Sequence, residues 1–169
     1  MQGNSDVPWG YSVANAIVFS NVKKAIGLDR CKTMASGAAP ISKQTLHYFM
    51  SLDIPIYELY GMSECSGPQT LSNEQFWRTG SCGVSIPGTD LWLDSSHHTD
   101  AEGKEGEICF RGRHIFMGYL KNDDATASTI DANGFLHSGD IGHVDSQGLC
   151  DTAGLMSNLL LNLLRRLST

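Results

Sequence analysis

An α/β segment followed by a β-rich segment and a helical tail is the fold class this sequence predicts, and three observations carry it. The first seventy residues read as strand, turn, helix and strand. Beyond about Gly83 the apolar runs shorten and are separated by Gly, Asp and His turns. From Leu155 onward, apolar residues fall at 156, 159, 160, 163, 164 and 167, the stripe of an amphipathic helix.

The elements follow in order. A helix is predicted over 13–26, with Ile17 and Val18 on it, Lys23 and Lys24 near its end and Gly27 as its stop. The small residues from Thr33 through Ser36 to Pro40 read as a strand end opening into a turn. Ser42 is placed to cap a helix running through Leu46, Phe49 and Met50 to about Leu52. Residues 54–60 read as a strand that breaks at Gly61. In the second part, 90–93, 107–110 and 134–137 are strand candidates and 123–130 is helix-like. The predicted organisation is therefore 1–83 (partial α/β), 84–148 (β-rich, barrel-like) and 149–169 (a divergent amphipathic helical tail).

Composition bounds the function. Of 169 residues, 41% are hydrophobic and 18% charged, which argues against intrinsic disorder. Twelve Lys and Arg against eighteen Asp and Glu leave a net charge of −6, unsuited to phosphate neutralisation, so no nucleic-acid partner is expected. No apolar run is long enough for a transmembrane helix, and the first ten residues lack the pattern of a signal peptide. The five cysteines form no CxxC pair, which fits reduced thiols in a cytoplasmic protein rather than a zinc framework or a disulfide scaffold. A membrane-surface role for the tail is the alternative to a core or partner-facing helix, although such helices usually carry basic residues along the polar face.

Two stretches could carry chemistry. In Tyr57-Glu58-Leu59-Tyr60-Gly61-Met62-Ser63-Glu64 a strand delivers an aromatic ring, a glycine, a hydroxyl and a carboxylate to one loop. Tyr60 could stack on a purine, Gly61 could let backbone approach a ligand, Ser63 could meet a phosphate and Glu64 could hold Mg²⁺. The same residues also suit a turn and a cap. A third reading makes Ser63 a hydrolase nucleophile, but the GxSxG elbow lacks its second glycine, because Cys65 stands there. In His137-Ser138-Gly139-Asp140 a carboxylate after a Ser-Gly turn could accept hydrogen bonds from vicinal hydroxyls, or simply face solvent. Gly83–Gly88 has the glycine spacing of a P-loop without its Lys, and Asp131–Gly134 reads as a β-turn rather than a calcium loop.

Taken in order, Ser36-Gly37-Ala38-Ala39-Pro40, Tyr60-Gly61-Met62-Ser63-Glu64, Gly106-Glu107-Ile108-Cys109-Phe110-Arg111-Gly112 with Met117-Gly118-Tyr119, and His137-Ser138-Gly139-Asp140 resemble the adenylate-forming ligase superfamily. The resemblance is to its long-chain acyl-CoA synthetases of the bubblegum type, over roughly 5–148. It implies a nucleotide-binding α/β subdomain leading into a small β-rich subdomain. It also implies that ATP and a long-chain fatty acid form an acyl-adenylate, which coenzyme A then attacks. By resemblance, Gly37, Ala38, Ala39 and Pro40 with Glu58, Leu59, Tyr60 and Gly61 flank the adenine, and Tyr60 stacks on it. Met62 and Ser63 follow, with Ser63 facing the α-phosphate; Glu64 helps hold Mg²⁺, and Asp140 grips the ribose.

Three parts of the family pattern have no counterpart in the sequence. These are the phosphate loop upstream of Ser36, the ribose-binding Arg of the hinge, and the C-terminal catalytic Lys. The expectation is a truncated ligase piece that holds no complete catalytic set and is inactive alone. A non-catalytic interaction module derived from such a ligase is the alternative. The site of action expected is cytoplasmic, with peripheral contact at the endoplasmic reticulum or another membrane left open.

Overall fold

The computed structural model describes residues 8–96 and 105–152. The predicted amphipathic tail from Leu155 lies outside the described residues, as do His97, His98 and Asp100, which the sequence offers beside Asp94 as an adventitious metal group or, more simply, as water-facing residues.

The first helical run starts after Gly10, which takes a left-handed φ of 90°, and comprises α1 (Tyr11–Ala14), a π-helical turn (Asn15–Phe19) and α2 (Ser20–Ala25). It matches the helix read over 13–26, but buries none of its residues: Val13, Ile17, Val18 and Ile26 all stay exposed. Polar contacts anchor it instead, since Tyr11 Oη and Lys23 Nζ both donate to Asp53 Oδ2, at 3.0 and 2.7 Å.

The next elements form a parallel crossover. β1 (Met34–Ser36) leads to α3 (Lys43–Ser51) and back to β2 (Ile56–Met62), which pairs parallel with β1 from Met34↔Ile56 to Ser36↔Glu58. Ser42 caps α3 as expected, its Oγ accepting from Thr45 N at 3.1 Å. β2 does not break at Gly61. It runs on to Met62 and returns through a 3₁₀ turn (Ser63–Cys65) into β3 (Gly67–Leu71), which pairs with β4 (Val84–Ser85). The glycine is there for close approach, because a Cβ on Gly61 would overlap Gly67 O and Pro68 Cα, where the pairing register shifts.

The second sheet is an antiparallel meander curled into a half-barrel: β5 (Thr89–Asp94), β6 (Glu105–Gly112), β7 (Leu136–Val144) and β8 (Cys150–Thr152), in that order. The helix α4 (Asp123–Thr129), capped by Asn122, enters between β6 and β7. The Ser-Gly turn read from sequence before Asp140 lies within β7. Pairing also runs slightly past the boundaries at 83 and 148, since Val84–Ser85 join the first sheet and Cys150–Thr152 the second.

One apolar cluster fills the space between the sheets. Tyr60, Cys65 and Cys82 meet Ile108, Phe110, Leu136 and Cys150 there. Ile108, Phe110 and Leu136 are 0% exposed, and the Tyr60 and Phe110 rings lie 5.8 Å apart. Backbone bonds join the two parts as well, from Cys82 N to Cys150 O at 2.9 Å and from Cys150 N to Gly83 O at 2.7 Å. Arg78 reaches both Asp145 and Asp151, at 2.7 and 2.6 Å.

Phe110→Ala should lower the unfolding free energy by about 3–5 kcal/mol, the usual cost of an emptied aromatic core site. A urea titration followed by far-ultraviolet circular dichroism measures it. A loss below about 1 kcal/mol would show that Phe110 is not a shared core residue.

Candidate functional site

A cleft of about 200 Å³ opens where the loop after β1 meets the C-terminal end of β2, the edge of a parallel pair at which α/β proteins bind ligands. Ala38, Ala39 and Pro40 form one side of it, and Glu58, Leu59, Tyr60 and Gly61 another. Asp140 of β7 closes the rim. Eight of the sequence-predicted residues thus meet in one place. Gly37, Met62, Ser63 and Glu64 lie outside the lining, while Lys43, Gly80 and Cys82 belong to it and were missed. No local pattern marks Gly80 or Cys82; only the return of the chain after β3 brings them in.

The small residues of the first loop have steric causes. A Cβ on Gly37 would overlap the Leu59 side chain, and Ala38 holds a left-handed φ of 66°. The loop therefore lies directly against β2.

Tyr60 is 4% exposed, so its ring is largely a core group packed on Phe110, with little face left for stacking. Its hydroxyl donates to Asp140 Oδ2 at 2.7 Å across 80 residues of sequence. Burial pushes the phenol pKa upward, so Tyr60 remains a donor at neutral pH. Asp140 keeps acceptor capacity beyond that bond, since a carboxylate offers about four lone-pair sites. Glu58 is a second acid in the cleft and is 9% exposed. Burial raises its pKa, against which the Gly80 N–H donates at 2.7 Å.

Glu64 stands beyond the cleft on the turn after β2. Its Oε1 accepts from Tyr119 Oη at 2.8 Å and its carbonyl from Phe116 N at 2.8 Å. The Met117-Gly118-Tyr119 motif is therefore a strap that orients Glu64. A half-buried, hydrogen-bonded carboxylate suits Mg²⁺, which binds through one or two carboxylates and retains water. Ser63 is exposed on a connection between antiparallel strands, so the strand-to-helix elbow required for a hydrolase nucleophile is not present.

Behind Asp140, His137 Nδ1 donates to Glu107 Oε2 at 2.9 Å. Asp131 Oδ2 lies 3.9 Å from its Nε2, and Asp94 and Cys109 also face the ring. Glu107, Cys109 and His137 place donor atoms within 4.8 Å of one another. Cys109 Sγ lies 3.5 Å from His137 Nδ1, and burial pushes its thiol pKa up to about 12. The bond to Glu107, partly offset by burial, raises the His137 pKa. A raised histidine pKa means that the folded chain holds the proton more tightly than the unfolded chain. The stabilisation is complete below the unfolded value of about 6.5 and is lost as pH climbs through the folded value. His137→Gln should therefore lower Tm most near pH 5.5, with the deficit shrinking toward pH 9. Calorimetric scans across that range measure it, and a deficit constant with pH would contradict the assignment.

Comparison with known proteins agrees with this geometry. Residues 11–120 match the AMP-binding enzyme family. The long-chain-fatty-acid–CoA ligase ACSBG2 of Gallus gallus is 49% identical over 161 residues, 95% of this chain and 21% of that protein. The corresponding ligase ACSBG1 of Homo sapiens is 39% identical over 159 residues, 94% of this chain and 21% of that one. A malonyl-CoA ligase, solved as a ternary product complex with methylmalonyl-CoA and AMP, superposes with a TM-score of 0.65 at 27% identity. That superposition covers 80% of this chain and 31% of the ligase. The chain thus spans about a fifth of the curated relatives' length. The ACSBG2 match takes in 161 residues of 169 and so extends into the 149–169 segment. With this match across well over half its length, the chain belongs to the AMP-binding enzyme family.

Proposed function

We propose that this chain carries the AMP-facing part of the adenylation site of a long-chain-fatty-acid–CoA ligase. The observation that carries the proposal is the Tyr60–Asp140 hydrogen bond, which unites two distant motifs at the cleft formed with Ala38–Pro40. In the reaction proposed, a fatty-acid carboxylate attacks the α-phosphorus of ATP and pyrophosphate leaves. The thiol of coenzyme A then attacks the acyl-adenylate carbonyl and releases AMP. Asp140 would accept from ribose hydroxyls while Tyr60 holds its carboxylate in place. The 38–40 loop and the 58–61 backbone would bound the adenine, and Ser63 would face the α-phosphate from the turn after β2. Glu64 would hold Mg²⁺, whose charge would offset that building on the phosphates.

The cleft volume of about 200 Å³ is below the range of about 300–1,000 Å³ usual for a whole small-molecule site, so it suits part of a nucleotide. Electrostatic stabilisation of the departing pyrophosphate needs cationic donors, and the phosphate loop, hinge Arg and catalytic Lys have no counterpart in these 169 residues. The chain by itself is therefore proposed to bind nucleotide without completing adenylation. The three-part division at 83 and 148 belongs to the same proposal and follows the two sheets to within a few residues. No helix among the described residues is long and apolar enough to cross a membrane; a cytoplasmic site of action rests on composition and resemblance. The exposed apolar side chains of Val13, Ile17 and Val18 favour the alternative of an interaction module.

Titration calorimetry with AMP should give measurable binding, weakened by about tenfold or more in Asp140→Asn through loss of a charged acceptor. ATP–pyrophosphate exchange driven by palmitate should stay at background. Robust exchange would overturn the proposed inactivity. Absence of AMP binding together with capture of a protein partner would favour the interaction module.

A further inference from the structure

We infer that Glu107 is a positioning residue for nucleotide binding, its carboxylate holding open the backbone bulge that presents Asp140 to the cleft. The inference rests on the reading of Asp140 as the ribose acceptor.

The pairing of β6 with β7 shows the bulge. Cys109 pairs with His137 and Glu107 pairs with Ile141, with a register shift between them. Over that interval β6 contributes Ile108 alone, whereas β7 contributes Ser138, Gly139 and Asp140. The surplus residues cannot lie in the regular ladder, and Asp140 is thereby turned toward Tyr60. Gly139 supports the excursion with a left-handed φ of 75°.

A displaced backbone N–H needs a substitute partner, and Glu107 supplies one. Its Oε1 accepts from Gly139 N at 2.7 Å, while its Oε2 accepts from His137 Nδ1 at 2.9 Å. One carboxylate thus spans two positions of the bulged strand, and His137 fixes its rotation. Ser138 Oγ accepts from Asp140 N at 3.1 Å and braces the far side. A carboxylate serves both donors whenever the ring carries its proton on Nδ1. An amide in its place keeps both contacts only with the ring in its other neutral tautomer, so the side chain has to be truncated to remove the brace. Glu107 reaches the ligand only through Asp140.

The test compares AMP with 2′,3′-dideoxy-AMP on the 169-residue chain by calorimetry. The unmodified chain should prefer AMP by about tenfold or more. Asp140→Asn should remove that preference, and Glu107→Ala should reduce it to within about twofold while leaving the dideoxy affinity unchanged. A Glu107→Ala chain that keeps the preference, beside an Asp140→Asn chain that loses it, overturns the positioning role. So does an equal loss of both nucleotides, the mark of a carboxylate that merely holds the sheet. If Asp140→Asn keeps the preference, or the unmodified chain shows none, the ribose reading falls instead. Amide exchange tests the brace without nucleotide: Gly139 N–H should exchange at least about tenfold faster in Glu107→Ala and be unaffected in Glu105→Ala, at the exposed start of β6. Unchanged exchange in Glu107→Ala overturns the inference.

Discussion

Tyr60 is where the structure's packing and its chemistry meet. Its ring belongs to the cluster that joins the two sheets, in contact with Phe110, and its hydroxyl reaches Asp140 on the second sheet. Apolar burial is the main force holding the sheets together. A buried hydroxyl requires a partner, and here that partner is the carboxylate at the cleft rim. Moving either sheet would therefore cost both core contacts and a charge-assisted hydrogen bond. The cleft inherits its geometry from the core.

The same economy of space governs the backbone around it. Gly61 lets the β2–β3 hairpin close against Gly67 and Pro68, and Gly37 lets the first loop lie on Leu59. Larger side chains at either point would part the elements that line the cleft. On the second sheet the opposite device operates, since extra residues in β7 lift Asp140 out of the ladder. A close-packed loop and a raised acid together define the site. Glu64 is held separately by Tyr119, so the carboxylate suited to a metal and the one suited to a ribose have independent supports.

Much of the local structure was legible in the sequence. Ser42 announced α3, Gly27 ended the first helical run, and the 123–130 stretch became α4, because caps and stops act through nearest neighbours. Reading failed where a residue's role depended on distant chain. Gly61 resembles a strand stop until Gly67 and Pro68 are seen beside it, and Ser138-Gly139 resembles a simple turn until β6 is seen pairing on either side of it. β3 was not anticipated, because its Gly-Pro start reads as a turn and its buried Gln69 and Thr70 read as surface. Tyr60 was expected as a stacking face and proves to be mainly a core ring with a tethered hydroxyl.

The order and chemistry of the motifs, the acidic balance and the succession of an α/β part by a β-rich part follow from the amino acids alone. Each depends on residue type and short-range spacing. That Ala38–Pro40, Tyr60 and Asp140 share a cleft, that Tyr119 straps Glu64, and that Glu107 bridges two residues of a bulge all required the folded chain. Hydrogen bonds between residues 32, 55 or 80 positions apart leave no periodic trace in a sequence, because the partners are chosen by how the sheets pack.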